Sequence, residues 1–316
     1  MQLKHFDFIK TRSRGILIRE GIVDVKELFF MVVIRIIFIL LFLAIAAYVL
    51  SLMPRGSRRR DMEHYKGMVF AHRGLHTREK PENSMAAFEA AVKRGVGIEL
   101  DIHLTKDKKI IVFHDDNLRR MCGVDGRPED ITWLQLKKLP LGHSEAHIPL
   151  FKDVLMMVNG RVPLLIEIKI PDRDTELCRR LFHLLSGYHG PYMVQSFNSF
   201  ALQWFKKNAP TVLRGQLSSD LHSLKKNYST SVYLALRFLL CNAYSRPDFI
   251  SYRFFNRNNI SLLIVHYIFR CPVALWTIRN QNDYVLAKQH FDMFITEGFI
   301  PKETKVLKAT GRKKWL

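Results

Sequence analysis

Hydrophobic and polar positions follow two alternating patterns along the chain after residue 66. Short runs rich in β-branched residues and leucine are separated by stretches with apolar residues at helical spacing. The runs are MVFAHR, VGIELDIHL, KIIVFHD, PLLIEIK, YMVQSF, VLRGQL, DFISYR, VALWTI and DMFITEG. Strands that alternate with helices predict a parallel sheet, and this number of strands predicts a TIM-type (β/α)8 barrel. Because there is one run too many, and IVFHD follows ELDIHLTKD at a hairpin-like spacing, we expect one run either to extend a neighbouring strand or to be irregular.

The most apolar stretch of the chain lies near the N-terminus, from Leu28 to Met53, and Arg35 is its only charged residue. Residues 36–53, IIFILLFLAIAAYVLSLM, carry no charge. A helix of this length rises about 1.5 Å per residue and just spans a hydrocarbon core of about 30 Å, so the stretch predicts one transmembrane helix. A buried core helix and a cleaved signal peptide are the alternatives. The A-x-A match at 44–46 lies inside the stretch, which argues against cleavage.

These patterns divide the chain into five parts. We expect a basic N-terminal segment at 1–27, the transmembrane helix at 28–53 and a basic linker at 54–66. The barrel follows at 67–300, with an insertion over its mouth at 117–150. A basic tail at 301–316 is expected either to fray in solvent or to touch anionic headgroups.

Lysine and arginine outnumber the acids by 49 to 29, giving a formal net charge of +20 and a pI near 9.9. Such a charge predicts an anionic partner: nucleic acid, anionic lipid or a phosphorylated small molecule. The cations cluster around the apolar stretch and in the tail, and no nucleic-acid motif is present, so we expect a membrane with anionic lipid and no nucleic acid. The dense RGSRRR cluster after the apolar stretch favours a single-pass protein with a cytoplasmic catalytic domain, although other cations precede the stretch.

The four cysteines are scattered, without a C-x-x-C pair. They indicate neither a zinc site nor a disulfide framework, and free thiols suit a reducing compartment. The sequence gives no indication of oligomeric state.

Polar side chains are concentrated at the ends of the predicted strands, where barrel active sites lie. Glu99 and Asp101 are two residues apart on one strand and therefore share a face, as do Glu167 and the lysine at 169. Three converging carboxylates repel one another unless a cation bridges them, and oxygen ligands suit Mg²⁺ or Ca²⁺. His72 and His114 each end an apolar run and are candidates for acid/base catalysis. The alternative is a set of unrelated carboxylates and buried histidines.

The segments AHRG, PENS, IELDIHLTKD, IVFHDDNLRR, LIEIK, VQSF, ALWTI and ITEG resemble, in order, the pattern of glycerophosphodiester phosphodiesterases over residues 68–300. The resemblance implies a barrel of lipid metabolism that uses a divalent metal to cleave glycerophosphodiesters to glycerol 3-phosphate and an alcohol. It implies metal binding by Glu99, Asp101 and Glu167, acid/base catalysis by His72 and His114, and phosphate contacts from Arg73 and Lys169. Which histidine is the acid, and whether water or a substrate hydroxyl is the nucleophile, stay open.

Several further positions follow from the same resemblance. Trp276 and Phe197 are expected to wall the substrate pocket, with plain core packing as the alternative for the tryptophan. Ser84 of PENS is expected to begin a helix. The sequence departs from the family pattern in two places: lysines fill a turn at 108–109, and Glu297 replaces a frequent aspartate. We expect neither departure to touch the catalytic set.

Two rival functions remain. One is a lysophospholipase D or phospholipase-type activity on membrane lipids, which keeps the chemistry and changes the substrate. The other is a catalytically silent, membrane-bound barrel that binds lipid.

Overall fold

The computed structural model describes residues 15–17, 22–220 and 229–304 of the chain. The chain divides into two compact units, Met1–Leu50 and Ser51–Leu316. The first contains an antiparallel pair of short strands, β1 (Gly15–Leu17) and β2 (Ile22–Asp24). It also contains most of helix α1 (Val25–Leu52).

Helix α1 has the length and composition of a membrane span. Its most apolar 18-residue window has a mean hydropathy of 3.1. No part of that window is buried, which does not fit the alternative of a soluble core helix. A signal sequence passes the same test of length and composition.

The second unit is a closed parallel barrel, as the alternating pattern predicts. Its strands and the adjoining hairpin strand are β3 (Val69–Ala71), β4 (Gly97–Leu104), β5 (Ile110–Val112), β6 (Leu164–Ile168), β7 (Tyr192–Ser196), β8 (Arg214–Ser218), β9 (Phe249–Arg253), β10 (Val273–Ile278) and β11 (Met293–Thr296). The order is β3-β11-β10-β9-β8-β7-β6-β4, and pairing of β3 with β4 closes the ring. Strand β5 pairs antiparallel with β4, and its Ile111 also bridges Leu150, so the surplus run is a hairpin extension of its neighbour.

Helices connect the strands and cover the barrel. They are α2 (Arg59–Met62), α3 (Met85–Lys93), α4 (Arg119–Cys122), α5 (Trp133–Leu136), α6 (Phe151–Val158), α7 (Glu176–Leu185), α8 (Ser199–Asn208), α9 (Thr230–Arg237), α10 (Asn242–Ser245), α11 (Ile260–Leu263) and α12 (Gln281–Lys288). A π-helical turn (Ile264–Ile268) follows α11. Ser84 caps α3 as expected, because its Oγ accepts a hydrogen bond from the Ala87 amide at 3.2 Å.

The barrel interior is apolar where the strands begin and polar where they end. The apolar layer contains Phe70, Leu165, Met193, Leu213, Phe249, Ala274 and Met293, and it is closed from below by Met62, Tyr65 and Met68. Because side chains alternate along a strand, the next inward positions lie two residues further on. They include His72, Glu167 and Gln195. Each fully buried large side chain of the layer contributes about 1.5–3 kcal/mol, so the packed lower half supports the polar site above it.

The segment between β5 and α6 has a small core of its own, formed by Phe113, Leu118, Leu136, Leu141 and Ile148. Its first helix, α4, lies beside the polar end of the barrel: Arg120 Nη2 donates to Glu82 Oε1 at 2.6 Å. The insertion therefore reaches the edge of the site through Arg120.

Candidate active site

Three buried carboxylates meet at the polar end of the barrel. Asp101 of β4 lies opposite Glu167 of β6 in the parallel register, and Glu99 is two residues earlier on the same face. One oxygen of each lies within 4.8 Å of the others. The exposed fractions are only 2% for Glu99, 1% for Asp101 and 6% for Glu167. The structure thus brings together the three residues that sequence reasoning selected.

Neighbouring side chains hold each of these carboxylates in place. Asn83 Nδ2 donates to Asp101 Oδ2 at 2.9 Å, and Gln195 Nε2 donates to Glu99 Oε1 at 3.2 Å. Lys169 Nζ lies 3.1 Å from Asp101 Oδ1 and also pairs with Glu167. These contacts fix the carboxylates so that their oxygens converge.

The electrostatics of this cluster indicate a deficit of positive charge. Burial raises the pKa of Glu99 well above its usual range, and the charges of Asp101 and Glu167 raise it further. Burial and Asp101 also raise the pKa of Glu167, against the opposing effect of Lys169. For Asp101, burial is outweighed by Lys169, His114, Arg73 and the Asn83 hydrogen bond, so its pKa falls. Crowded anions with only oxygen donors fit a hard divalent cation, which Glu99, Asp101 and Glu167 would hold.

Both candidate histidines direct Nδ1 towards a carboxylate. His72 Nδ1 lies 2.5 Å from Glu297 Oε2, and His114 Nδ1 lies 2.6 Å from Asp115 Oδ1. Such a contact fixes the ring and leaves Nε2 as the nitrogen that can exchange a proton with a substrate. Burial, reinforced by Arg73, lowers the pKa of His72 to about 4, although Glu297 opposes this. His72 is therefore neutral at pH 7.

The contact with Glu297 overturns one expectation. Glu297 was expected to lie away from the catalytic set, yet it is hydrogen-bonded to His72. It directly follows β11, which lies next to β3 in the closed barrel, and Arg279 Nη2 donates to its Oε1 at 3.1 Å. The hydrogen bond from His72, helped by the charge of Arg279 and opposed by partial burial, lowers the pKa of Glu297 to about 2, so it is ionised at neutral pH. The other departure from the family pattern lies in the turn at 108–109. There Lys108 adopts a left-handed φ of 62°, the conformation that glycine favours.

The His-Arg-Gly sequence forms a tight turn directly after β3. Arg73 has a φ of 56°, and its amide donates to Glu99 Oε2 at 3.1 Å. Its Nη1 donates to Glu82 Oε1 at 2.7 Å. Gly74 has a φ of 85°, and a Cβ there would lie 2.9 Å from the backbone of Ala87. Only glycine therefore allows α3 to pack so closely against the turn that carries His72 and Arg73.

One cavity of about 370 Å³ connects most of these groups: His72, Arg73, Glu99, His114, Glu167, Lys169, Phe197 and Trp276 all line it. The Trp276 and Phe197 rings form an edge-to-face pair with centroids 5.9 Å apart. Trp276 also packs on the apolar layer, so it combines core packing with a pocket wall. Its Nε1 is buried without a hydrogen-bond partner among the described residues, leaving a donor for a ligand.

Several residues of the site were missed by sequence reasoning. Arg253 and Arg279 line the cavity from the ends of β9 and β10. His103, two residues after Asp101, is buried and places Nδ1 2.7 Å from Glu129 and Nε2 3.5 Å from the His114 carbonyl. The period of two from Glu99 through Asp101 was the available signal for His103. Glu297 carried no such signal, because only barrel closure brings it to His72.

The fold and this constellation define a barrel hydrolase with an acidic cluster. The family model for the glycerophosphoryl diester phosphodiesterase family matches residues 72–297. The chain belongs to this family and is a glycerophosphodiester phosphodiesterase, a phosphoric diester hydrolase.

Individual relatives agree with this assignment. The chain is 33% identical over 167 residues to a glycerophosphodiester phosphodiesterase of Bacillus altitudinis, covering 48% of this chain and 67% of the relative. It is 29% identical over 243 residues to one of Bacillus subtilis, covering 68% of this chain and 78% of the relative. Human lysophospholipase D GDPD1 is 30% identical over 162 residues, which cover 47% of this chain and 50% of that protein.

Solved structures agree on the fold. An Oleispira antarctica phosphodiesterase in complex with the product sn-glycerol-3-phosphate superposes with a TM-score of 0.62 at 21% identity, covering 74% of this chain and 94% of that chain. The glycerophosphodiester phosphodiesterase of Thermotoga maritima gives a TM-score of 0.57 at 25% identity, covering 72% of this chain and 93% of that chain.

Proposed function

We propose that the barrel hydrolyses glycerophosphodiesters to glycerol 3-phosphate and an alcohol, using a divalent cation, Mg²⁺ or Ca²⁺, and two histidines. The observation that carries the proposal is the meeting of three buried carboxylates and two carboxylate-bound histidines at one cavity. Glu99, Asp101 and Glu167 hold the cation, which when bound neutralises charge on the phosphodiester.

The other side chains around the cavity bind the phosphate, transfer protons and enclose the substrate. Arg73 and Lys169 supply positive charge at the end of the pocket where the carboxylates lie, and they contact the phosphate. One histidine accepts a proton from the nucleophile at Nε2, and the other donates a proton to the departing alkoxide. Glu297 and Asp115 keep both rings oriented for these transfers. Trp276 and Phe197 enclose the glycerol moiety and exclude water from that wall.

The proposed location is a membrane, with α1 as a single-pass anchor and the barrel on the cytoplasmic side. The length and apolar composition of α1 support the anchor. The cations that follow it support the orientation, as do four cysteines that are all free thiols. Retention in carbonate-washed membranes tests the anchor, whereas a shortened, soluble chain would indicate signal cleavage. Proteolysis of sealed vesicles tests the orientation.

A lysophospholipid is the second candidate substrate. Phe197, Leu217, Phe255 and Trp276 give the cavity a larger apolar wall than a glycerol requires, and one relative bears the name lysophospholipase D. A panel of glycerophosphocholine, glycerophosphoethanolamine, lysophosphatidylcholine and intact phosphatidylcholine separates the two. We expect the highest kcat/KM for a glycerophosphodiester with two free glycerol hydroxyls. A higher value for the lysophospholipid would favour the second candidate.

A further inference from the structure

The surface at the end of the barrel opposite the active site is rich in exposed cations. This surface, which we call the basal face, is formed by the residues that precede the strands. Exposed cations are spread over it: Arg59, Arg60, Arg94, Arg161, Lys207 and Arg270. Most acidic side chains of these segments already have a partner within the protein. Asp61 pairs with Arg58, Asp248 is buried beside Arg214, and Asp292 accepts a hydrogen bond from the Val273 amide. Among the described residues there, Glu63 is the exposed carboxylate.

Large apolar side chains are exposed at the same end of the barrel. Tyr244 is 59% exposed, Tyr267 is 55% exposed and Ile268 is 69% exposed. Each lies just before a strand, Tyr244 before β9 and the other two before β10. Tyrosine and aliphatic side chains interspersed with cations are typical of the boundary between a bilayer and water.

The chain that follows α1 joins the barrel at this face. Asn242 Nδ2 donates to the Leu52 carbonyl at 3.0 Å, and Arg246 Nη1 donates to the Met53 carbonyl at 3.0 Å. Arg55 Nη1 then donates to the Pro210 carbonyl at 2.6 Å, just before β8. Residues 52–55 are therefore fixed to the barrel by hydrogen bonds.

We infer that the basal face lies against an anionic lipid bilayer. Charge complementarity selects this partner, and residues 52–55, which follow the apolar stretch in the sequence, are attached to the same face. The active-site cavity opens at the other end of the strands. Resting on the proposed function, this arrangement means that the diester enters from water rather than from the lipid surface.

Lipid proximity of single positions tests this inference in the full-length protein. Cys122 and Cys241, which are half-buried, are first changed to serine, and the activity of that background is checked. A fluorophore is attached through Ile268→Cys on the basal face or, as the matched control, through Val124→Cys beside the mouth. The protein is placed in nanodiscs of phosphatidylcholine and phosphatidylglycerol that contain headgroup nitroxide lipid. We expect strong quenching at position 268 and little at position 124.

Charge reversal identifies the occupant of the face. In the triple variant Arg60→Glu, Arg94→Glu, Lys207→Glu, we expect quenching at position 268 to fall several-fold. The control triple variant Arg78→Glu, Lys80→Glu, Lys106→Glu reverses exposed mouth-side charges and should leave quenching unchanged. Both should hydrolyse a soluble diester at the rate of the unreversed background, so failure of the proposed function is recognised separately. Equal or stronger quenching at 124 would overturn the inference. The inference would also be overturned if the fluorophore at position 268 were shielded from solvent to an extent that depends on protein concentration and not on lipid. That result would indicate that a second copy of the chain covers the face.

Discussion

His72 Nδ1 and Glu297 Oε2 lie 2.5 Å apart, although the residues are 225 positions apart in the chain. Only closure of the barrel, by pairing of β3 with β11, brings them together. In the proposed mechanism Glu297 is therefore a positioning residue, which holds the ring so that Nε2 is left for the substrate.

Glu297→Gln tests that role, because it keeps the shape of the side chain and removes its charge. We expect kcat to fall by roughly 10- to 100-fold, the usual cost of losing a supporting carboxylate, with a small change in KM. Glu297→Asp, which restores the carboxylate on a shorter stem, should recover part of the rate. The control Glu303→Gln removes a carboxylate that is paired far from the cavity, with Lys288. Normal kcat in Glu297→Gln would show that His72 needs no such partner.

Removal of one carboxylate from the cluster should weaken cation binding. Glu99→Gln, Asp101→Asn and Glu167→Gln each delete a negative charge and a ligand, so the cation affinity falls and excess Mg²⁺ or Ca²⁺ partly restores the rate. Isothermal titration calorimetry measures the affinity directly. Glu79→Gln, at an exposed position, controls for the change in net charge. Unaltered affinity in the Glu167 variant would place the cation elsewhere.

Loss of a histidine should act on the rate and spare the cation. His114→Ala leaves all three carboxylates in place, so the calorimetric affinity should stay near wild type while kcat falls by roughly 10² to 10⁴. The matched surface control is His183→Ala, which lies on α7 outside the cavity. Turnover near the wild-type rate would remove His114 from the mechanism.

Stability should depend on the titration of His72. Its pKa is about 4 in the folded protein against an ordinary value of 6.5, so the unfolded chain binds the proton more readily. The stabilising contribution is complete above pH 6.5 and is lost as the pH falls towards 4. We therefore expect the Tm of the wild type to drop more between pH 7 and pH 5 than that of His72→Gln, by differential scanning fluorimetry in detergent. Equal drops would contradict the depressed pKa.

The barrel and the centre of its site follow from local patterns in the sequence. The period of two placed Glu99 and Asp101 on one face, and the strand-end position of Glu167 pointed to the same cluster. The other contacts of the site depend on closure of the sheet and on the geometry of the loops, which local sequence patterns do not predict. Glu82, for example, links Arg73 to Arg120 of the insertion, a contact that only the folded loops create.

The contacts of the basic residues after α1 could not be predicted from the sequence either. Positions 54–66 read as a basic linker, because charge density is all that the sequence displays there. In the structure Arg55, Arg58 and Arg59 donate to the carbonyls of Pro210, Thr211 and Phe269. Those acceptors are backbone carbonyls, which every residue has, so the residue types at 210, 211 and 269 do not indicate these contacts.

Phosphorus NMR of a reaction in ¹⁸O-labelled water tests whether this cluster carries out cation-dependent hydrolysis of a glycerophosphodiester. Full-length protein is mixed with glycerophosphocholine and either Mg²⁺ or Ca²⁺, with or without EDTA. We predict glycerol 3-phosphate with one ¹⁸O on phosphorus when a cation is present, no product with EDTA, and much less product from Glu99→Gln than from the wild type at the same cation concentration. Product formation that resists EDTA, or phosphate that stays on choline, would contradict it.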